Sequence, residues 1–257
     1  MASNWNPEQY ERFAQPRLQP AIDLLSRVTG GERAFIVDLG CGGGQVTTLL
    51  AAFWPEARIL GIDSSREMLA KAEAAVPTAQ FLCTDIEIFE PEEAPDLVVS
   101  NAALHWVENH DSIMLHWLRL LAPGGTLAVQ MPRNHAAPSH QAILQAEQAG
   151  PWRDALVTVR GIASVHPASH YATLLLPHAA HVEAWETEYV HVLSGPDPVF
   201  EWTSGAALRP FLAALGDDAG GFVESYKRRL REAYPPLPDG RTLFPFRRVF
   251  AVAETKV

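Results

Sequence analysis

Residues 34–45 read AFIVDLGCGGGQ, and this stretch decides the fold. The apolar run at 34–37 is typical of a buried parallel strand, and an acid and a glycine-rich segment follow it without a spacer. From Gln45 to Phe53 the composition is that of a helix that ends before Pro55. Glycines suit a turn whose backbone must adopt conformations costly for other residues and approach a ligand closely. The stretch therefore predicts a strand, a glycine turn and a helix.

A second apolar run, residues 58–62, ends on Asp63, roughly twenty positions after the glycines. An acid at the tip of the second strand can accept hydrogen bonds from ribose hydroxyls, which indicates a ligand that contains adenosine. The dinucleotide fingerprint fits poorly, because the place of its third glycine is taken by another residue. Asp38, just before the glycines, disfavours a pyrophosphate and suits a cationic ligand with an amino group. This arrangement resembles the first motif of class I S-adenosylmethionine-dependent methyltransferases.

The remaining apolar runs complete a sheet. Strands are predicted at 79–84, 96–100, 126–131, 181–191 and 242–253, and helices at 66–75, 114–121, 139–160, 199–215 and 219–234. The alternation predicts an α/β fold: a Rossmann-like, doubly wound, mostly parallel seven-stranded sheet with an antiparallel last strand and a helical cap. Ligands of such sheets bind beyond the carboxyl ends of the strands, so Asp38, Asp63 and Asp85 are expected at one crevice.

We expect a single domain with two functional parts. Residues 1–132 would form the cofactor-binding core with an N-terminal helical flap, and residues 133–257 a helical substrate cap plus the last two strands of the same sheet. The N-terminal helix either packs on the core or closes over the cofactor. In the second case Tyr10 would lie near the substrate and Arg17 near the carboxylate of the cofactor.

Position along the strands assigns candidate residues to the crevice. The predicted cofactor-binding residues are Arg17, Asp38, Gly40, Gly42, Gly44, Asp63, Ser64, Asp85, Ile86 and Asn101. Asp85 would suit the exocyclic amine of adenine, with the Ile86 backbone beside it. His105 follows the fourth strand, and it is either a general base or, with Trp106, part of a polar and aromatic wall that shapes the pocket.

The chain of 257 residues has a formal net charge of −10. This balance argues against a nucleic acid partner, because phosphate backbones are bound by basic surfaces. Positive charge gathers at residues 227–231, which form either a solvated helix face or a place where an anionic substrate is held. The start of the chain lacks the features of a signal peptide, and no run is long enough to cross a bilayer. We therefore expect a cytoplasmic protein with no membrane partner.

Two features of the sequence contain residue types that can bind metals. Cys41 and Cys83 provide neither a disulfide framework nor a metal site. His166 and His170 have the spacing of two metal ligands on one helix face, but Pro167 lies between them and no glutamate accompanies them. We therefore expect no metal.

Seven segments carry a resemblance to a known family. They are WNPEQYERFAQPR (5–17), DLGCGGG (38–44), GIDSS (61–65), NAALHW (101–106), APGGTLAVQMP (122–132), EWTSGAALRP (201–210) and FRRVFAVA (246–253). Together they resemble bacterial trans-aconitate 2-methyltransferases. The match runs nearly from end to end and is loosest at 133–180. Three segments point to this family and not only to the class I methyltransferases. They are the tryptophan-containing start, the Leu-Arg-Pro segment and the arginine-containing last strand.

The resemblance implies methyl transfer from S-adenosylmethionine to one carboxylate of trans-aconitate, a small anionic tricarboxylate, by a monomer or weak homodimer. Fixed guanidinium groups would hold the remaining carboxylates. The substrate-binding residues it suggests are Tyr10, Trp106, Tyr171, Arg209 and Arg248. The family has Phe-Pro-Arg in its last strand, whereas this chain reads Phe-Pro-Phe-Arg-Arg at 244–248. Because alternation places only one of Arg247 and Arg248 on a given sheet face, we choose Arg248.

Other functions are compatible with the same fold. A related methyltransferase could esterify the malonyl carboxylate on acyl carrier protein, using the basic segment 227–231 for docking. A nicotinamide-dependent oxidoreductase is disfavoured by the incomplete glycine fingerprint. A third alternative is a protein that binds the cofactor without turnover.

Overall fold

A seven-stranded sheet organises the chain, in the strand order β3-β2-β1-β4-β5-β7-β6. Its strands are β1 (Phe35–Leu39), β2 (Arg58–Asp63), β3 (Gln80–Cys83), β4 (Leu97–Asn101), β5 (Thr126–Pro132), β6 (His181–Leu193) and β7 (Thr242–Glu254). Strand β1 pairs in parallel with β2 and β4, β2 pairs in parallel with β3, and β4 with β5. Strand β7 is antiparallel to β5. The predicted mostly parallel sheet with an antiparallel last strand is confirmed.

This computed structural model describes residues 18–28, 31–157, 159, 164–204 and 208–257. Tyr10 and Arg17, with the flap that we assigned to them, lie outside the described residues. The backbone of Arg209 is described, but its side chain is not.

Helices alternate with the strands in the first half of the chain and follow one another in the second. They are α1 (Gln19–Leu25), α2 (Gln45–Phe53), α3 (Arg66–Ala75), α4 (His110–Leu120), α5 (Pro138–Gln148), α6 (Arg153–Leu156), α7 (Ala168–Leu175), α8 (Pro198–Ser204), α9 (Arg209–Leu215) and α10 (Gly220–Ala233). Short 3₁₀ turns occupy Leu104–Trp106 and Gly216–Ala219. Of the helices in the described part of the chain, none is long and apolar enough to cross a membrane.

Local sequence explains where the first elements begin and end. All five residues of β1 are buried, as expected for a strand between two parallel neighbours. Helix α3 begins after Ser65, whose hydroxyl accepts a hydrogen bond from the backbone N–H of Met68 at 3.3 Å. Helices α2 and α3 have the predicted bounds.

Three predicted helices differ in the structure, and the one predicted over 199–215 is found as the two helices α8 and α9. The helix predicted over 139–160 consists of α5 and α6, separated by a turn at 149–152. Pro151 accounts for the break, because its ring nitrogen has no hydrogen to donate to a continuing helix. Helix α4 begins at His110 rather than at Met114, because its first residues, His110, Asp111 and Ser112, are polar and the apolar spacing therefore does not mark its start.

The chain divides into two compact units. The first contains the described residues of Met1–Pro132, His166–Glu186 and Arg248–Val257, and it holds the parallel strands and α7. The second contains those of Arg133–Val165 and Thr187–Arg247. Buried residues of the second unit, including Phe222, Tyr226 and Phe244, form a hydrophobic cluster of its own. The chain passes from the first unit to the second after Pro132 and returns to the first unit twice.

The glycine turn yields a stability prediction. Gly40 has a φ of +70°, and a Cβ atom added there would lie 2.2 Å from Cβ of Ala103. We expect Gly40→Ala to lower the free energy of unfolding by about 2 kcal/mol or more, measured by urea denaturation, since it combines backbone strain with overpacking.

Gly240→Ala is the matched control for this experiment. Gly240 has a φ of +83°, but an added Cβ would meet nothing within 4 Å, so its substitution introduces backbone strain alone. Equal losses of stability in the two variants would contradict the close packing of Gly40 against Ala103.

Candidate active site

The glycine turn joins β1 to α2 and is fastened to the end of β2. Gly40, Gly42 and Gly44 have φ values of +70°, +54° and +82°, a region that favours glycine. The backbone N–H groups of Gly40 and Cys41 both donate to the carbonyl oxygen of Ile62, at 2.8 and 2.9 Å. Added to Gly42, a Cβ would meet only the flexible Cε of Met68, at 3.5 Å. The turn therefore has a fixed backbone and leaves room beside Gly42.

Asp63, at the tip of β2, holds two neighbouring segments. Its Oδ2 accepts a hydrogen bond from the N–H of Gly42 at 3.0 Å, and its Oδ1 accepts one from the N–H of Ser65 at 2.8 Å. Each carboxylate oxygen has a second lone pair, so both can still accept a bond from a ligand hydroxyl. Ser64 is exposed beside it. The predicted ribose contact is compatible with this geometry.

Asp38, in the central strand β1, is buried, with 1% of its surface exposed. The hydroxyl of Thr47 donates to its Oδ2 at 2.7 Å. Burial raises the pKa of the Asp38 carboxyl to about 7, the Thr47 hydrogen bond opposes this, and the nearby charge of Asp63 adds to it. A cationic ligand near Asp38 would favour its ionised form.

Asp85 follows β3 and is exposed. Its Oδ1 accepts a hydrogen bond from the backbone N–H of Glu87 at 2.9 Å, which makes it the first residue of a local turn. Ile86 is partly buried beside it. The adenine contact assigned to Asp85 and Ile86 stays a prediction.

The end of β4 has unusual backbone and side-chain features. Ala102 has a φ of +54°, and it is the one residue other than glycine in the described part of the chain with a positive φ. Oδ1 of Asn101 is buried and has no hydrogen-bond partner among the described residues. Strained backbone and unpaired buried polar atoms are concentrated at functional sites of proteins. These features support the choice of Asn101.

Gln130, in β5, was missed by the sequence analysis. It is fully buried and lies opposite Asn101 in the register of β4 and β5, which places both side chains on one face of the sheet. Nε2 of Gln130 has no hydrogen-bond partner among the described residues. The one available signal was a polar amide within the apolar strand TLAVQMP. Asn101 and Gln130 together present an unpaired acceptor and an unpaired donor.

The two adjacent arginines of β7 have different environments. Arg248 is partly buried, and its Nη1 donates to Oε1 of Gln130 at 3.3 Å. Arg247 is exposed and lies 3.3 Å from Glu188. The expected alternation is therefore present, and Arg248 is the arginine beside the buried amide.

His105 and Trp106 lie in the 3₁₀ turn after β4. Their rings are in contact, with centroids 4.9 Å apart. His105 is buried, whereas the indole of Trp106 is 49% exposed. This arrangement is compatible with an aromatic wall and leaves Trp106 accessible to a substrate, while the role of His105 as a base stays a prediction.

Tyr171, on α7, is fully buried. Its hydroxyl oxygen lies 2.9 Å from Nε2 of His110 and accepts a hydrogen bond from the backbone N–H of His166 at 3.0 Å. The hydroxyl thus holds two segments of the first unit together. The substrate contact assigned to Tyr171 has no further support here and stays a prediction.

Comparison with known proteins shows which protein family this chain is similar to. A family model described as a methyltransferase domain matches residues 37–129. The trans-aconitate 2-methyltransferase of Azoarcus sp. (strain BH72) is 43% identical over 97% of this chain and 98% of its own length. That of Streptomyces avermitilis is 47% identical over 97% of this chain and 96% of its own.

A solved structure shows the same fold at low sequence identity. Phosphoethanolamine N-methyltransferase 2 of Haemonchus contortus, in complex with phosphomonomethylethanolamine and S-adenosylhomocysteine, has a TM-score of 0.56. It is 17% identical, over 93% of this chain and 53% of that chain.

The buried Asp38 yields a prediction for stability against pH. Its pKa is about 7 in the folded protein and about 3.9 in the unfolded chain, so the folded state holds more protons between these values. The contribution of Asp38 to stability therefore falls as pH rises from about 4 to about 7. Asn does not titrate, so we expect Asp38→Asn to gain stability relative to the unsubstituted protein across this window, by up to about 1.4 kcal/mol per pH unit.

Urea denaturation of the cofactor-free protein at several pH values measures this difference. Thr47→Val serves as a companion, because it removes the hydrogen bond that lowers the pKa and should extend the window to higher pH. A difference between Asp38→Asn and the unsubstituted protein that stays constant from pH 5 to 8 would contradict the raised pKa.

Proposed function

This chain belongs to the trans-aconitate 2-methyltransferase family, and we propose that it transfers a methyl group from S-adenosylmethionine to one carboxylate of trans-aconitate. The observation that carries the proposal is the similarity over almost the full length of both chains, which includes the half expected to bind the substrate. The products would be a monomethyl ester and S-adenosylhomocysteine. The cofactor of this family is S-adenosylmethionine.

The residues of the first unit fit this cofactor. Beside Gly42 the backbone has room for a ligand, and Asp63 can accept hydrogen bonds from ribose hydroxyls. The unpaired oxygen of Asn101 would accept a hydrogen bond from the ammonium group, and Asp38 would supply negative charge. When bound, the cofactor supplies an electrophilic methyl group on a positively charged sulfur.

The chemistry demands positioning rather than proton transfer. A substrate carboxylate has a pKa near 4 and is already ionised at neutral pH, so His105 has no proton to remove. The chain must instead align the attacking oxygen with the methyl group and exclude water. The half-exposed indole of Trp106 supports a wall for this purpose, with Tyr10 as a further candidate contact.

Fixed positive charge would select the tricarboxylate. We assign its remaining carboxylates to Arg209 and Arg248, because a guanidinium group binds a carboxylate with two parallel hydrogen bonds. Partial burial and the contact with Gln130 support Arg248. For Arg209 the support is its place in the Leu-Arg-Pro segment, one of the segments that resemble the family. We also propose a cytoplasmic location and a monomeric or weakly dimeric state.

The arginines give a kinetic prediction. Arg209→Ala and Arg248→Ala should each raise the KM for trans-aconitate about thirtyfold, which corresponds to about 2 kcal/mol for a lost charge partner, and leave the Kd for S-adenosylmethionine unchanged. Steady-state kinetics and calorimetric titration with the cofactor measure these two constants. Arg247→Ala is the matched control, since Arg247 is an exposed neighbour in the same strand. Unchanged KM values for both arginine variants would contradict the assignment of Arg209 and Arg248 to the substrate site.

The proposed activity itself is tested by mass spectrometry. Purified protein is incubated with S-adenosylmethionine and trans-aconitate, and in parallel with cis-aconitate, citrate or malonyl-acyl carrier protein. We expect a methyl ester chiefly on trans-aconitate. If ester forms only on the carrier-bound malonyl group, that group is the substrate instead. Cofactor binding without any ester would indicate a protein that binds the cofactor without turnover.

A further inference from the structure

A cluster of side chains with metal-ligand chemistry lies in the first unit, apart from the residues assigned above to the cofactor. It consists of Asp111 in the first turn of α4, His170 on α7 and His166 just before α7. One ligand atom from each residue lies within 4.8 Å of the other two. Nε2 of His170 is 2.6 Å from Oδ2 of Asp111, and the rings of His166 and His170 are stacked with centroids 4.1 Å apart.

The fold brings these three residues together. Helix α7 begins at Ala168, so His166 lies outside it and the helical spacing considered in the sequence does not apply. The hydroxyl of Tyr171 instead holds the backbone N–H of His166 and lies against His110, the residue before Asp111. Asp111, from a different helix, therefore supplies the acidic partner that the sequence does not place beside the histidines.

Two observations favour a cation over a simple His–Asp pair. Oδ1 of Asp111 is buried and has no hydrogen-bond partner among the described residues; Nε2 of His110 lies 3.7 Å away. The side chains of Asp111 and His170 are 29% and 35% exposed, so an ion has access from solvent. The carboxylate thus keeps acceptor capacity at the buried Oδ1 that the protein leaves unused, and the partly exposed side chains of the cluster give an ion a route from solvent.

The donor set defines the kind of ion. Two imidazole nitrogens and one carboxylate oxygen suit zinc and similar divalent transition metals, whereas magnesium and calcium prefer oxygen ligands throughout. Three protein ligands leave at least one coordination position for water or another small ligand. We propose that Asp111, His166 and His170 bind a divalent transition metal of the zinc type.

Zinc titration tests the site directly. Chelator-treated, dialysed protein is titrated with zinc chloride by calorimetry without cofactor or tricarboxylate, since tricarboxylates themselves chelate metals. We expect one zinc ion per chain and no comparable binding of magnesium. His166→Ala, His170→Ala and Asp111→Asn should each raise the Kd for zinc at least about tenfold, because the loss of even an outer-shell partner has an effect of this size.

His116→Ala is the matched control, because His116 also faces a carboxylate, with its Nε2 3.8 Å from Oε1 of Glu90, but is not a member of the cluster. Its Kd for zinc should equal that of the unsubstituted protein. Zinc, but not magnesium, should also raise the unfolding temperature of the unsubstituted protein, which supports the site even if a variant fails to fold. Absence of zinc binding, or equal weakening by His116→Ala, would overturn the proposal.

Discussion

The close contact between the glycine turn and the ends of the neighbouring strands is the constraint on which the rest of the first unit depends. The carbonyl oxygen of Ile62 accepts hydrogen bonds from Gly40 and Cys41, and the carboxylate of Asp63 holds Gly42. On the other side Gly40 leaves no room for a side chain against Ala103. Three parallel strands therefore end around one turn whose shape is fixed by contacts within the protein. Such preorganisation lowers the entropy that a bound cofactor must overcome.

Buried polar groups at this edge oppose the stability of the fold. Asp38, Asn101 and Gln130 are three polar side chains among apolar strands, and burial of polar groups costs free energy that their partners offset only in part. The raised pKa of Asp38 is one measure of that cost. Groups of this kind are explained if a ligand completes their interactions. A cation with hydrogen-bond donors, such as the methionine part of the cofactor, is chemically suited to the acids and to the amide oxygen.

The proposed reaction and the proposed metal site make different demands on the fold. Methyl transfer to an ionised carboxylate requires orientation, charge complementarity and the exclusion of water, and it requires no proton acceptor in the chain. The cluster of Asp111, His166 and His170 instead provides a compact donor set at the beginning of two helices. Its connection to the buried pair of Tyr171 and His110 gives those residues a structural role that sequence similarity alone did not suggest.

The sequence by itself determined the order of the elements, the parallel sheet and the glycine turn. The periodicity of apolar residues, the positions of the glycines and the acids at the strand ends are all local features of the chain. Alternation along the last strand also predicted that only one of Arg247 and Arg248 lies on a given sheet face, since this pattern is local too. Only the tertiary structure placed Gln130 opposite Asn101 and Asp111 beside His170. These pairs join residues far apart in the chain, and strand register and helix packing decide which of them meet. Local periodicity carries no information about such contacts.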